Sequence, residues 1–283
     1  MEDDKAVNCQ MTLFERVVNY KQKNGIGELV RSIPSFIYRR LIRKILPHNG
    51  YVLRNGIEAE QKKVFDSYLP RRFHLMSSNK PNFEQGIISL HHEYTEPGDD
   101  IVIIAGGYGV SAVKTAEIIR PGGTITIYEG SKEQLDILQD VLQRHDVNDI
   151  CNTIFGIVGK EHFTYGGKQT PESIPVSNIQ DCDVLELDCE GSEISILENL
   201  EISPRVIILE IHPHRFDKPP ERALELIDKL GYEIVAKRGH NGRELNNEEF
   251  KQLIDFDWSP NNKRISSGAK HPPVIAAKPK ESV

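Results

Sequence analysis

From Pro97 onward, apolar runs of four to six residues alternate with stretches whose apolar positions recur every three or four residues. The runs predict strands buried on both faces, and the periodic stretches predict amphipathic helices. Strands are expected at 101–105 (IVIIA), 124–128 (TITIY), 153–158, 183–187 (DVLEL) and 206–211 (VIILEI). Helices are expected at 110–120, from Ser131 onward, at 193–200 and at 220–230. Ser131 can cap the first turn of its helix, with Gln134 where a capping box needs it. Leu135, Leu138, Val141 and Leu142 form that helix's apolar face. Gly231 follows the 220–230 helix as a stop signal. Two last strands fall at 232–237 and 273–277, joined by a long polar connection, and suit an antiparallel pair. Strands alternating with helices imply right-handed crossovers and a parallel sheet covered on both faces. The expected fold class is therefore α/β.

Residues 1–96 follow a different pattern. They contain helical-looking segments, several Arg and Lys, and few clear strands. The expected organisation is a mainly helical N-terminal extension or cap over 1–96 and a ligand-binding domain over 97–283. Residues 31–47 (RSIPSFIYRRLIRKILP) hold five basic side chains and no acid. On a helical wheel, Ile37, Tyr38, Leu41, Ile42, Ile45 and Leu46 fill one half, and Arg39, Arg40, Arg43 and Lys44 the other. That layout suits a helix packed on its own domain with a solvated basic face. It equally suits peripheral contact of residues 34–47 with an anionic membrane surface.

Composition narrows the classes. The 283 residues include 42 acidic and 35 basic side chains, a net charge of -7. A chain that coats nucleic acid is normally basic, so general nucleic-acid binding is not expected. No apolar run approaches the roughly 20 residues of a membrane span. The opening MEDDKAVNCQ does not read as a secretory signal. The four cysteines, at 9, 151, 182 and 189, lack zinc-ligand spacing and suit a reduced, cytoplasmic compartment. No metal site is expected, because His212 and His214 flank Pro213 without a spacing that fixes a third ligand.

Ligands of such sheets bind beyond the carboxyl ends of the strands. After the first strand comes Gly106-Gly107-Tyr108-Gly109, a turn in which a ligand can approach bare backbone. The helix behind it points free N–H groups at that ligand. Glu129 ends the second strand, 22 residues beyond Gly107, and can accept hydrogen bonds from both hydroxyls of a ribose. Together these form an adenosine-binding signature. Gly107 to Ala112 also fits the dinucleotide fingerprint, so a nicotinamide-dependent oxidoreductase is the rival reading. A binding module that has lost catalysis is a third.

The fourth strand ends in Asp188-Cys189-Glu190-Gly191-Ser192-Glu193, three carboxylates within six residues. Glu193 suits the amino end of the next helix. Asp188, at the strand tip, is a candidate to orient a substrate hydroxyl or take its proton. The fifth strand ends in Glu210-Ile211-His212-Pro213-His214; alternation puts Glu210 and His212 on one face. A Glu inside VIILEI is costly to bury unless paired.

The ordered set of glycine turn, Tyr128-Glu129, Asp188-Cys189-Glu190-Gly191-Ser192-Glu193 and Leu209-Glu210-Ile211-His212-Pro213 resembles the FkbM family of S-adenosylmethionine-dependent methyltransferases. The resemblance covers about residues 97–280. It implies a Rossmann-like class I methyltransferase fold, with a mostly parallel seven-stranded sheet whose last strand is antiparallel. It implies S-adenosylmethionine over Gly106, Gly107, Tyr108 and Gly109, its ribose on Glu129 and its adenine near Ile157 and Val158. Asp188, Glu190 and His212 would be catalytic, with Asp188 or His212 taking the acceptor's proton and Glu190 ordering the site, in O-methylation of a hydroxylated small molecule, sugar or lipid-linked glycan. One departure stands out. The family usually has an acid in the first strand and a glycine two positions later, where this chain has Ile103 and Ala105. Another acid would then have to serve, with Asp188 the first candidate.

Overall fold

The computed structural model describes residues 34–65, 68, 79–159, 171–189, 191–213, 215, 219–255 and 271–281. The chain forms two compact units, residues 1–51 with 61–78, and residues 52–60 with 79–283. Helix α1, described over 34–45, contains a π-helical turn at Tyr38–Ile42 and an α-turn at Arg43–Ile45. Strands β1 (His48–Arg54) and β2 (Ile57–Lys63) pair as a hairpin. Its turn, Asn55-Gly56, has positive φ at both residues (49° and 81°), the conformation of a two-residue hairpin loop. Among the described residues, the N-terminal region thus holds a hairpin that its lack of clear strand patterning did not predict.

Within the first unit, Arg43 Nη2 donates to the carbonyl of Gln61 at 3.1 Å. Leu41 and Ile45 are exposed, at 64% and 83% of their surface.

The second unit is built on an eight-stranded sheet in the order β6-β5-β4-β3-β7-β8-β10-β9. The strands are β3 (Ile101–Ile104), β4 (Ile125–Glu129), β5 (Cys151–Val158), β6 (Glu172–Ile174), β7 (Val184–Leu187), β8 (Val206–Glu210), β9 (Tyr232–Arg238) and β10 (Val274–Pro279). The helices are α2 (Gln85–Tyr94), α3 (Val110–Ile119), α4 (Lys132–Arg144), α5 (Glu193–Glu198), α6 (Glu221–Lys229) and α7 (Asn247–Ile254). Seven of the strands are those expected. The eighth, β6, is a three-residue edge strand on β5 with a single buried side chain, Ile174, too short to leave an apolar run. Strand β10 runs antiparallel to both β8 and β9. That arrangement departs from the second parallel half of a dinucleotide-binding sheet, which the oxidoreductase reading required.

Every position of β3, β4, β7 and β8 is buried, so alternate residues serve two cores. Ile101, Ile103, Ile125, Ile127, Val184, Val206 and Ile208 pack with Ile88 of α2, Val113 of α3 and Leu138 of α4. Val102, Ile104, Leu185, Leu187, Ile207 and Leu209 pack with Ile194 of α5, Leu226 of α6 and Phe250 of α7. Burying one such side chain is worth about 1.5–3 kcal/mol, so these two layers fix the sheet. They also fix the strand tips. From β3 the chain builds outward to β6 on one side, then returns to lay β7 and β8 on the other. The carboxyl ends of β3 and β7 are therefore the topological switch point, where such sheets receive ligands. Among the described residues, no helix is long and apolar enough to cross a membrane.

Candidate functional site

The glycine turn and the second-strand acid meet. The Gly107 amide donates to Glu129 Oε2 at 3.2 Å, and the Ser131 amide to Oε1 at 2.8 Å. Burial pushes the Glu129 carboxyl up, and backbone N–H groups of Ser131, Gly107 and Gly130 oppose that shift. The glycines differ in purpose. A Cβ on Gly106 would lie 2.3 Å from Ile127 Cγ2, and one on Gly109 2.6 Å from Leu138 Cδ1. Those two let the turn press onto β4 and α4. Gly107, at φ 53°, faces only Glu84 Oε1, 3.8 Å from a built Cβ. It is the bare backbone that a ligand can approach.

Gln134 does not close the expected capping box. Ser131 Oγ accepts from the Gln134 amide at 3.3 Å, but the Gln134 side chain donates to the Gly107 carbonyl at 2.7 Å. The helix cap thereby steadies the turn. Tyr108 packs edge-on against Phe83, and the buried Arg54 guanidinium lies 4.0 Å above its ring.

Ala105 occupies the position usually glycine, at φ 71°. A side chain there carries a strain of about 1–2 kcal/mol. Ile103 pairs in register with Glu186 of β7, so Glu186 lies at the same level and on the same face. Its Oε1 accepts from Ser111 Oγ at 2.9 Å, and its Oε2 lies 2.8 Å from His91 Nε2. Glu84 adds a second acid, with Oε2 accepting from the Ser111 amide at 3.0 Å. Its carboxyl is held well above the usual range by burial, then by the charges of Asp188 and Glu186. Glu84 as a residue keeps some solvent contact, and its carboxyl group sits deeper than that exposure suggests.

The second cluster joins the tips of β7 and β8. His212 Nδ1 lies 2.8 Å from Glu193 Oε1, and His212 Nε2 lies 3.5 Å from Asp188 Oδ1. Glu193 is fully buried, and its Oε2 accepts from the Gly191 amide at 2.8 Å. Glu193 therefore does more than suit a helix terminus: it orients the histidine. Burial alone lowers the His212 pKa. The hydrogen bond to Glu193 and the charges of Glu210 and Asp188 outweigh burial and push it up to about 10. Glu210 is held well above the usual carboxylate range by burial and then by Asp188, with which it shares a hydrogen bond.

The structure thus brings together Gly106, Gly107, Tyr108, Gly109 and Glu129 at the glycine turn, and Asp188 with His212 at the neighbouring tips. Ile157 and Val158 extend β5 beyond Phe155, the residue level with Glu129. Val158 is buried in the second core with Tyr128 and Val176, while Ile157 is partly exposed. Glu190 lies outside the described residues. Sequence reasoning missed Glu84, Arg54 and Glu186. Only Glu186 carried a signal, a charge inside the apolar run DVLEL, which is the argument that flagged Glu210 in VIILEI.

The strand order is the sheet topology of class I methyltransferases, with the glycine turn at its switch point. Residues 170–234, from β6 to the start of β9, match the methyltransferase FkbM domain. No curated protein sequence matches the chain. Similar solved structures include Aeropyrum pernix fibrillarin in complex with S-adenosyl-L-methionine, at 15% identity, covering 65% of this chain and 68% of that one with a TM-score of 0.40. A SAM-dependent O-methyltransferase from Thermotoga maritima matches at 14% identity, covering 70% and 64%, with a TM-score of 0.42. Precorrin-6y C5,15-methyltransferase from Geobacter metallireducens matches at 13% identity, covering 77% and 96%, with a TM-score of 0.43.

Proposed function

We propose that this protein binds S-adenosylmethionine at the glycine turn and transfers its methyl group to a hydroxyl oxygen. The acceptor belongs to the hydroxylated small molecules, sugars or lipid-linked glycans. The observation that carries the reading is the 3.2 Å contact between the Gly107 amide and the Glu129 carboxylate, with nothing nearer than Glu84 Oε1, at 3.8 Å, to a Cβ built on Gly107. A nucleoside over that bare backbone has Glu129 beside it for its ribose hydroxyls. The FkbM-type match over 170–234 supports the same cofactor.

The sulfonium of the bound cofactor supplies an electrophilic methyl group. The protein must place an acceptor oxygen in line and receive its proton. Asp188 suits that role, because its side chain keeps 21% exposure at the strand tip while its partners are buried. His212 is a positioning residue, held by Glu193 and presenting Nε2 to Asp188. The exposed Leu41 and Ile45 keep a lipid-linked acceptor among the candidates.

The purified protein is tested by thermal shift with S-adenosylhomocysteine and, separately, with NAD. Stabilisation by the first, lost in Glu129→Ala, is expected; stabilisation by NAD alone overturns the reading. With labelled cofactor and extract fractions as acceptors, Asp188→Asn should slow transfer by about 10²–10⁴-fold. Undiminished transfer removes Asp188 from its role. Liposome flotation tests the lipid surface, and protein left in the bottom fraction rules it out.

A further inference from the structure

We propose that Asp188, Glu210 and His212 form a site for one divalent transition-metal ion, of the manganese class, at the tips of β7 and β8. One ligand atom from each residue lies within 4.8 Å of the other two. Strand alternation places all three on one face of the sheet. Two carboxylates supply the charge that matches a dication, and the imidazole supplies a nitrogen.

The arrangement behind the histidine points independently to a ligand. Glu193 Oε1 lies 2.8 Å from His212 Nδ1, and its other oxygen is anchored by the Gly191 amide. With Nδ1 engaged by the buried Glu193 carboxylate, Nε2 is the nitrogen that faces Asp188, and an ion bound there would displace a proton from it. Metal-bound histidines are oriented in this way. Adjacent ligands about 2.1 Å from an ion stand about 3 Å apart. The 3.5 Å between His212 Nε2 and Asp188 Oδ1 is close to that spacing. Mixed imidazole and carboxylate ligands suit manganese, iron or zinc better than calcium or magnesium, which favour oxygen.

Three protein ligands leave coordination positions open, the pattern of a reactive site and not of a structural one. Those positions would hold the acceptor hydroxyl. That assignment rests on the methyltransferase reading, but binding of the ion does not.

The full-length protein, stripped with chelator, is titrated with Mn²⁺ while the free ion is followed by its paramagnetic resonance signal. One ion per chain is expected, and a rise in the thermal midpoint with it. Glu210→Gln and His212→Ala should each weaken binding at least about 10-fold, and Glu193→Gln by about 10–100-fold through orientation alone. Asp188→Asn, at the more exposed ligand, gives the same answer should a buried variant fail to fold. No Mn²⁺ bound by the wild type, or full binding retained in Glu210→Gln and Asp188→Asn, overturns the site. Binding of Zn²⁺ with Mn²⁺ excluded overturns the choice of ion. The same stripped sample is tested with S-adenosylhomocysteine: loss of that response with Mn²⁺ binding intact counts against the methyltransferase reading alone.

Discussion

Gly106, Gly107 and Gly109 sit within four residues but differ in what a methyl group would meet. Gly109→Ala drives a Cβ to 2.6 Å from Leu138 Cδ1 at φ 74°, so folding stability should fall by more than about 1–2 kcal/mol. Gly107→Ala meets nothing closer than 3.8 Å and carries only the backbone strain. Its stability loss should be the smaller, with cofactor affinity the larger casualty. Urea denaturation and S-adenosylhomocysteine titration of the two variants separate these effects. If Gly107→Ala binds normally, the turn is not the ligand's seat. At φ 71°, Ala105→Gly relieves strain and should raise stability by up to about 1 kcal/mol on the same denaturation curve.

Glu84 carries a different liability. Its carboxyl is held well above its ordinary value near 4.5. The unfolded chain therefore ionises it first, and folding loses stability as the pH rises past that ordinary value. Glu84→Gln keeps an oxygen for the Ser111 amide and removes the charge. It should raise the thermal midpoint at pH 7 and flatten the pH dependence above 4.5. An unchanged midpoint would mean that the charge is better solvated than its surroundings indicate.

At the scale of elements, the sequence was readable wherever a strand was buried on both faces, because IVII, VLEL and VIILE leave runs that no amphipathic helix produces. The apolar face of α4 was readable for the same reason at the other period. Two signals were present and missed. Asn55-Gly56 marks a hairpin turn, and Asn246 with Glu249 forms a capping box that starts α7 inside the long polar connection. The site was legible as strand tips: Asp188 and His212 were candidates because they end β7 and β8. Their meeting depends on parallel pairing, which no local pattern states. Glu193 looked like a helix-terminus residue, and Glu84 arrives from outside the sheet.

The cap of α4 can be tested apart from the turn that it supports. Ser131→Ala should cost about 1 kcal/mol. Gln134→Ala leaves the Ser131 bond in place and frees the Gly107 carbonyl, so it should weaken cofactor binding more than folding. Equal losses of stability in both variants would show that the side chain of Gln134 serves only the helix.

For the whole molecule, acid and thiol chemistry report on integrity of the fold. Burial, with the charges of His271 and Lys80, pulls His240 down to about 4. The His271 ring stacks on it at 4.1 Å. Below its ordinary value of 6.5 the unfolded chain takes a proton that the folded one refuses until about 4. Stability should therefore fall as the pH drops through that window, and His240→Asn should make the fall shallower in urea melts at pH 7 and 5. Burial also pushes the thiols of Cys151 and Cys182 up to about 12. Native protein treated with iodoacetamide at pH 8 should leave both unlabelled by mass spectrometry, and denatured protein should label both.

Ile103 and Glu186 lie side by side across the β3–β7 ladder. A sheet has two coordinates, and a negative charge can stay at one level and on one face while changing the strand that delivers it. Swapping the pair, as Ile103→Glu with Glu186→Ile, shifts the carboxylate by one strand spacing, about 4.8 Å. The doubly exchanged protein should fold, whereas Glu186→Ile alone strips His91 and Ser111 of their shared acceptor. Recovery in the double variant would show that a carboxylate at that level of the sheet is enough, whichever strand carries it.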